Sequence, residues 1–151
     1  MIYQWKDGAR YSVSPQVAGN ICKQLDERNM LTASALVDVS RPEDAPLHPI
    51  FEWDDSLAAE KYREAQARAM IRSIVTIPAK SENKPVRAFF NIQVEQPKYE
   101  SLNIILEKPD KRALLLQSAY RELSAFKKKY SILKELTDVF SAIDHLMEEN
   151  A

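Results

Sequence analysis

The spacing of apolar residues predicts two short helices in the first third of the chain. Ser14 and Pro15 have the residue types of a helix N-cap and a first helical position, and apolar residues then recur at helical spacing up to Arg28. Asn29 interrupts this pattern, and Thr32 is suited to cap a second helix. The expected inner face of that second helix consists of Ala35, Leu36 and Val39.

A proline-punctuated turn then leads into a longer helix that is expected to end at Arg72. Pro42 should stop the preceding helix, and Pro42, Pro46 and Pro49 fix three backbone torsions, so this turn can be ordered without regular hydrogen bonding. Asp54 is suited to cap the longer helix. The expected inner face of this helix is narrow and made mostly of small residues, namely Ala58, Tyr62, Ala65 and Ala69.

Alternation with a period of two predicts several short strands. Asp7 and Gly8 lie between residues 2–5 and 10–13, in which apolar residues alternate with polar ones, a pattern typical of a β-hairpin. Further strands are expected at residues 73–77, 86–94 and 102–106. In the strand over residues 86–94, the side chains expected to share one face are Ala88, Phe90, Ile92 and Val94.

From Asp110 to about Met147 the chain has neither glycine nor proline and is predicted to be helical. Apolar residues repeat at spacings of four and three, and the stripe shifts by one residue near Lys129 to Ile132. Two arrangements fit: one long helix, or a hairpin with a break at Tyr130 and Ser131. A single long helix would need a partner along its whole stripe, whereas a hairpin would cover its own stripe. Because a lone helix of this kind would expose a large apolar patch, a homodimer or a multiple of it is expected. The residues assigned to this contact are Leu123, Phe126, Tyr130, Leu133, Leu136, Phe140 and Ile143.

These elements together predict an α+β fold. Residues 1–109 are expected to form a helix-turn-helix-like domain with a small antiparallel sheet, for which a winged form is one option. Residues 110–151 are expected to form a helical oligomerisation element.

Composition narrows the function classes. Only two of the 151 residues are glycine, which argues against the glycine-rich phosphate loops of Rossmann and P-loop proteins. Cys22 is the single cysteine and fits a small core residue better than a nucleophile. The N-terminus lacks an apolar signal core, and no apolar run reaches the roughly 20 residues of a membrane helix. A cytoplasmic location without a membrane partner is therefore expected.

Charge is unevenly distributed along the C-terminal part of the chain. The whole chain has a net charge of −1, whereas nucleic-acid-binding domains are usually clearly basic. Residues 110–130 carry six basic and two acidic side chains, and residues 131–151 carry one basic and five acidic ones. Because salt screens distant charges, this division matters most if the two segments lie side by side and antiparallel.

The helix that follows the proline turn carries several bases, and three helices in this order resemble a helix-turn-helix whose last helix enters the major groove. The competing interpretation is a solvated amphipathic helix with ion pairs between residues i and i+4. The bases assigned to DNA contact are Lys61, Arg63, Arg68, Arg72, Arg87, Lys127, Lys128 and Lys129.

The segment before this helix carries aromatic and acidic residues. Phe51 and Trp53 are expected to fill the core, because buried aromatic rings contribute much of a core's stability. The residues that could gather a metal ion are His48, Glu52, Asp54 and Asp55. Their spacing matches no common metal motif, and helix capping and turn formation account for them. No enzymatic activity, catalytic residue, metal or cofactor is therefore predicted.

Several segments resemble a group of small phage and prophage proteins. The most specific is Pro-Leu-His-Pro-Ile-Phe-Glu-Trp-Asp-Asp at 46–55, followed by Gln-Ala-Arg at 66–68. Ser-Pro-Gln-Val-Ala-Gly at 14–19 and the pairs Glu122-Leu123 and Ala125-Phe126 extend the resemblance over most of the chain. It implies a phage origin, the host cytoplasm as location and a non-enzymatic accessory role, with no catalytic residues to transfer.

Two function classes remain. The first is a DNA-associated regulatory or architectural protein that is dimeric through its C-terminal helices, with an affinity that falls steeply with salt. The second is an interaction or assembly protein that binds or modulates a host or phage protein complex without touching DNA. The helix order and the resemblance favour the first class, and the near-neutral charge favours the second. The DNA-associated class is placed slightly ahead.

Overall fold

Five short strands and six α-helices form the described part of the chain, which comprises residues 1–54, 57–79, 84–93, 95 and 98–150 of this computed structural model. They belong to two compact units, Met1–Glu107 and Lys108–Ala151. The first unit contains β1 (Tyr3–Trp5), α1 (Pro15–Glu27), α2 (Ala33–Val39), a 3-10 turn (His48–Ile50), α3 (Leu57–Ser73), β2 (Ile74–Thr76), β3 (Val86–Arg87), β4 (Phe89–Asn91), β5 (Tyr99–Ser101) and α4 (Leu102–Glu107). The second contains α5 (Pro109–Tyr130), a 3-10 turn (Lys134–Leu136) and α6 (Thr137–Glu149). The predicted α+β class with small antiparallel sheets is confirmed.

Local signals place the ends of α1 as predicted. The Ser14 hydroxyl accepts a hydrogen bond from the Gln16 amide at 3.2 Å. At the other end Asn29 adopts a φ of 61°, in the left-handed region. Its amide donates to the carbonyl of Asp26, and the next amide, that of Met30, donates to the carbonyl of Leu25, both at 2.8 Å. This pair of bonds is a Schellman C-cap, which satisfies two carbonyls at the helix end.

The cap of α2 is also confirmed, but of the expected inner face only Leu36 is buried. The Thr32 hydroxyl accepts from the Ala35 amide at 3.0 Å. Val39 is 45% exposed, and the buried side chains are those of Ala33, Leu36 and Val37. In a helix of seven residues, the sequence is compatible with two different buried faces whose residues have helical spacing. Which of the two faces is buried depends on the element that packs against the helix.

The links between the first three helices differ from those of a helix-turn-helix. Residues 28–32 join α1 to α2, whereas residues 40–56 separate α2 from α3. The motif joins its two helices by a turn of about three to four residues. The pair α2 and α3 therefore lacks the short turn of that motif.

The predicted N-terminal hairpin is wrong, although its turn forms. The Ala9 amide donates to the Lys6 carbonyl at 3.0 Å, and Gly8 has a φ of 83°. However, β1 pairs antiparallel with β2, which places Tyr3 opposite Thr76. Residues 10–13 form no strand. β2, the apolar strand that follows α3, pairs with β1 in place of residues 10–13. Because β1 and β2 are far apart in the sequence, local patterns do not reveal this pairing.

The predicted strand over residues 86–94 is divided between two sheets. β3 pairs with β2, and β4 pairs with β5. Ala88 lies at the bend between them: its amide donates to Ile74 in the first sheet, and its carbonyl accepts from the amide of Leu102 after β5. The bend breaks the expected alternation, since Ala88 and Phe89 are both buried. Val94 lies outside the described residues.

The predicted strand over residues 102–106 is a helix, α4. Leu102 and Ile105 are its buried residues, and their spacing of three is helical. The strand precedes it as β5, in which Tyr99, Glu100 and Ser101 are all buried. The alternation of apolar and polar residues did not reveal β5, because its buried residues include the polar Glu100 and Ser101. The Ser101 amide donates to the buried carboxylate of Asp26 at 2.9 Å, which ties β5 to α1.

The core of the first unit is built on the contact between Tyr3 and α1. The Tyr3 ring stacks on Phe89 with 5.8 Å between ring centroids and lies against Gly19. Cys22 is fully buried beside them, which confirms it as a core residue. Burial, with a smaller effect of Asp26, raises the pKa of the Cys22 thiol to about 12. The thiol is therefore protonated and unreactive near neutral pH.

The second unit is a helical hairpin. α5 ends at Tyr130, and the Leu133 amide donates to the Tyr130 carbonyl at 2.9 Å in the turn that follows. Of the two arrangements compatible with the sequence, the chain thus adopts the hairpin. Phe126 packs against Phe140 with 6.3 Å between ring centroids, and Lys127 forms an ion pair with Asp144. The basic and acidic segments thus lie side by side within one chain.

Replacing Gly19 by alanine should destabilise the fold severely. A Cβ at this position would lie 2.1 Å from Cδ2 and 2.2 Å from Cγ of Tyr3, so β1 would have to move. We expect a loss of about 3 kcal/mol of unfolding free energy in a urea titration. Gly8→Ala is the matched control, because a Cβ there meets no atom within 4 Å and only the positive φ is strained, at about 1 to 2 kcal/mol. A Gly19→Ala variant as stable as the Gly8→Ala variant would contradict the close approach of Tyr3.

Candidate functional site

The proline turn between α2 and α3, here called the proline loop (residues 41–54), folds by short-range hydrogen bonds. The Ala45 amide donates to the Pro42 carbonyl and the His48 amide to the Ala45 carbonyl, both at 2.9 Å. Leu47 and Phe51 point into the core, with 1% and 7% of their surface exposed. The expectation that Phe51 fills the core is confirmed.

Trp53 is only half-buried and forms the outer part of the proline loop. Its indole Nε1 donates to the His48 carbonyl at 2.9 Å, and its ring stacks on the His48 imidazole with 4.8 Å between centroids and a 5° interplanar angle. His48 Nδ1 in turn donates to the Ser40 carbonyl at 3.0 Å. The imidazole is therefore engaged in holding the loop. In the described part of the chain no group of three or more His, Cys, Asp or Glu residues could hold a metal, and Asp55 lies outside that part.

Arg63 lies inside the loop rather than on the surface. Only 3% of its surface is exposed. Its guanidinium donates to the carbonyls of Glu52 and Asp54, the latter at 2.8 Å, and to the Glu60 carboxylate at 3.1 Å. It also lies 4.9 Å from the centroid of the Trp53 ring. The assignment of Arg63 to DNA contact is therefore wrong: a planar fork of five donors makes this residue the connection between α3 and the loop.

A charge network continues from Arg63 to α2. Glu60 accepts a second hydrogen bond from Arg41 at 2.6 Å, and Arg41 pairs with Asp38 of α2 at 3.0 Å. The Arg41 guanidinium lies 5.9 Å from the Trp53 ring centroid. Four charged side chains therefore tie α2, the proline loop and α3 together. Only Arg63 among them is buried, so it contributes most of the network's stabilisation.

The exposed side of α3 carries three of the predicted DNA-contacting bases. Lys61 and Arg72 are exposed, and Arg68 is half-buried and pairs with Glu64 at 3.7 Å. The expected inner face is wrong, since Tyr62 is 58% exposed and Ala65 is exposed, while the side chain of Ala58 is outside the described part. The face that packs inward consists of Arg63, Ala67, Met70 and Ile71. The outward face, here called the α3 outer face, consists of Lys61, Tyr62, Ala65, Arg68 and Arg72.

The remaining predicted bases are distributed over both units. Arg87 is half-buried in the first unit, with its guanidinium 5.5 Å from the Phe90 ring centroid. Lys127, Lys128 and Lys129 belong to the second unit. Lys127 is paired with Asp144, whereas Lys128 and Lys129 are exposed.

The predicted oligomer contact divides into buried and exposed residues. Phe140 and Ile143 are 9% and 3% exposed and fill the contact between α5 and α6 of the same chain. Their assignment to a contact with a second copy is therefore wrong, because hairpin closure already covers them. The other assigned residues are half-buried or exposed, namely Leu123, Phe126, Tyr130, Leu133 and Leu136.

The hairpin also exposes apolar residues that were not assigned to the contact. α5 contains no buried residue along its length, and Leu114 and Leu116 are 38% and 47% exposed. On α6, Val139 and Leu146 are 46% and 38% exposed. The run Leu114-Leu115-Leu116 could have revealed this exposed apolar surface from the sequence. Three consecutive leucines on one helix point to different sides, so a single partner helix cannot cover them all.

A groove of about 390 Å³ runs along one edge of the hairpin. Its walls carry basic and apolar side chains from α5 and one methionine from α6. The lining residues are Tyr120, Arg121, Ser124, Ala125, Lys128 and Met147. An adjoining pocket of about 400 Å³ continues past Ser124 and Lys128 to Ile143 and Asp144.

Comparison with known proteins gives no match: no family model, no curated protein and no solved structure matches this chain. In the part of the chain that the structure describes, every helix falls short of the length and apolar character that a membrane span requires.

Replacing Arg63 by lysine should destabilise the first unit although the charge is kept. A lysine ammonium cannot reach both loop carbonyls and Glu60 at once, so buried acceptors lose their donors, and we expect a loss of about 2 kcal/mol. Arg68→Lys on the same helix is the control, with an expected change of about 0.5 kcal/mol or less, because that residue makes one exposed pair with Glu64. Urea denaturation followed by circular dichroism measures both values. Equal stability of the two variants would refute the central role of Arg63.

Proposed function

We propose that this chain is a non-enzymatic assembly protein that associates with copies of itself through the helical hairpin of its second unit. The observation that carries the proposal is α5, a helix of 22 residues without one buried residue. A helix with apolar residues on several sides is normally covered on more than one side. Within the second unit, α6 is the helix that packs against α5.

The length of α6 leaves part of α5 without a partner helix in the second unit. At 1.5 Å per residue, the 22 residues of α5 span about 33 Å and the 13 residues of α6 about 20 Å. Lys127 pairs with Asp144, and Tyr120 lines a groove with Met147, so α6 runs alongside the second half of α5. Leu114 and Leu116 lie before this overlap and are exposed. Burying such side chains against a second copy is favourable at about 25 cal/mol per Å².

Charge favours assembly over DNA binding as the first proposal. The chain has a net charge of −1, Arg63 is an internal residue, and Arg68 and Lys127 are paired with carboxylates. Of the eight bases assigned to DNA, these three are already engaged. A phage accessory role, as the sequence resemblance implies, is compatible with an assembly protein whose further partner is a host or phage protein.

Light scattering of the full chain across the micromolar range tests this proposal. We expect a mass of at least two chains. Replacing Leu114 and Leu116 together by glutamine should lower that mass, because less apolar area is then buried on association. Ile132→Gln is the control, since Ile132 is 86% exposed in the hairpin turn. A monomer at all concentrations would refute self-association.

DNA contact by the α3 outer face is the second candidate function. Its specific support is that Lys61 and Arg72 lie on one exposed side of a single helix, next to Arg68 and to a tyrosine that is 58% exposed. Bases at this spacing can reach phosphates along one strand, and an exposed aromatic ring can stack on an unpaired base.

A triple variant with alanine at Lys61, Arg68 and Arg72 tests this second candidate. We expect weaker DNA binding in a mobility shift, with the slope of log affinity against log salt reduced by about one for each lost phosphate contact. The comparison variant carries alanine at Lys127, Lys128 and Lys129. Equal DNA affinity of the wild type and the α3 variant would rule out the α3 outer face, and loss in the lysine variant alone would move the site to the hairpin.

A further inference from the structure

The two edges of the hairpin carry opposite charges. One edge is the groove described above. It is here called the basic groove (Tyr120, Arg121, Ser124, Ala125, Lys128 and Met147). Arg121 and Lys128 are exposed, and neither forms an ion pair with a described residue. The Arg121 guanidinium donates a hydrogen bond to the Ser118 hydroxyl at 2.9 Å. Lys127 is neutralised by Asp144. The groove is therefore positively charged and has apolar walls from Tyr120 and Met147.

The other edge is a ridge on α6, here called the acidic ridge (Asp138, Val139, Ala142, Leu146 and Glu149). Its three apolar members are spaced by three and four residues, so they lie on one side of the helix. All five are exposed. Along the helix, Asp138 precedes the apolar residues and Glu149 follows them. Glu149 is paired only with the exposed His145, at 3.3 Å, in the described part of the chain.

The groove and the ridge lie on opposite sides of the line that joins the two helices. Ile143 marks the side of α6 that faces α5, because it is 3% exposed. At about 100° per residue, Met147 and Asp144 lie on one side of Ile143, and they line the groove and its adjoining pocket. Val139, Ala142 and Leu146 lie on the other side. The ridge of one chain therefore cannot fill the groove of the same chain.

We infer that the acidic ridge of one copy docks into the basic groove of the next, so that the chain assembles head to tail. The inference rests on the proposed function and specifies a contact in the second half of the hairpin, beyond Leu114 and Leu116 on α5. Arg121 and Lys128 are seven residues apart, as are Val139 and Leu146, so each pair spans about 10 Å along its helix. Asp138 and Glu149 are eleven residues apart and span about 16 Å, so each acid lies just beyond one end of the pair of bases, within reach of the long Arg121 and Lys128 side chains. Leu146 and Val139 of one copy enter the groove beside Ala125 and Met147 of the other, and Asp138 and Glu149 meet its bases. Because the two surfaces differ and lie on opposite edges, the contact is heterologous and builds rings or open chains.

The decisive experiment blocks each surface separately and then mixes the variants. Ala125→Glu places a carboxylate in the groove, and Leu146→Glu places one on the ridge. Each variant alone should be monomeric by light scattering at concentrations where the wild type is oligomeric. An equimolar mixture should form a one-to-one dimer and nothing larger, because one intact groove and one intact ridge remain. Ile132→Glu, in the exposed hairpin turn, should retain the wild-type mass.

The outcomes separate this inference from the proposed function. A wild-type monomer overturns both. A wild-type oligomer whose mass is unchanged in Ala125→Glu and Leu146→Glu overturns only the groove-and-ridge contact, as does a mixture that stays monomeric. Val139→Glu repeats the ridge test in case Leu146→Glu unfolds, with circular dichroism as the check on folding. Full-length variants are used throughout.

Discussion

The buried guanidinium of Arg63 is the interaction on which the first unit depends. Short-range hydrogen bonds close the proline loop up to Phe51, and the carbonyls of Glu52 and Asp54 that follow accept from this one side chain. Because the same guanidinium reaches Glu60 and lies over Trp53, the loop, the aromatic pair and α3 are positioned together. An arginine can do this since its donors are fixed in a plane, whereas a lysine would satisfy fewer partners.

The position of α3 has consequences for the rest of the unit. β2 follows α3 directly and pairs with β1, which brings Tyr3 against Gly19 of α1. Ala88 then connects the two small sheets through hydrogen bonds to both. With its inner face used for packing, α3 presents Lys61, Tyr62 and Arg72 outward. The helix that looked like a recognition helix is thus partly a structural element, and only its outer face remains for a partner.

The hairpin of the second unit combines internal closure with unused surface. Phe140 and Ile143 supply its small core, and the Lys127–Asp144 pair joins its two oppositely charged helices. Among the charges that remain, Arg121 and Lys128 of α5 and Asp138 of α6 form no ion pair with a described residue. The proposed head-to-tail contact uses that remainder, and it explains why a short hairpin can carry so much exposed apolar surface.

The sequence by itself determined the features that depend on neighbouring residues. Ser14, Asn29 and Thr32 act as caps through hydrogen bonds within a few residues, and the break after Tyr130 also arises locally. The helical character of residues 110–147 and the division of charge between the two C-terminal segments could also be predicted, whereas the sequence was compatible with both one long helix and a hairpin. Of the candidate site, the exposure of Lys61, Arg72, Lys128 and Lys129 could be predicted in this way, because charged side chains on a helix normally face solvent.

Only the tertiary structure decided the features that depend on distant partners. β1 pairs with β2 rather than with residues 10–13. The strand expected at residues 102–106 lies earlier, as β5, where the Ser101 amide binds the buried Asp26, and residues 102–106 belong to α4. Arg63 has the same residue type and helix as Arg68, yet one is buried and the other makes a surface pair. The difference is that Arg63 faces unsatisfied loop carbonyls. Local sequence patterns carry no information about where such acceptors lie in space, so the role of Arg63 could be found only from the folded chain.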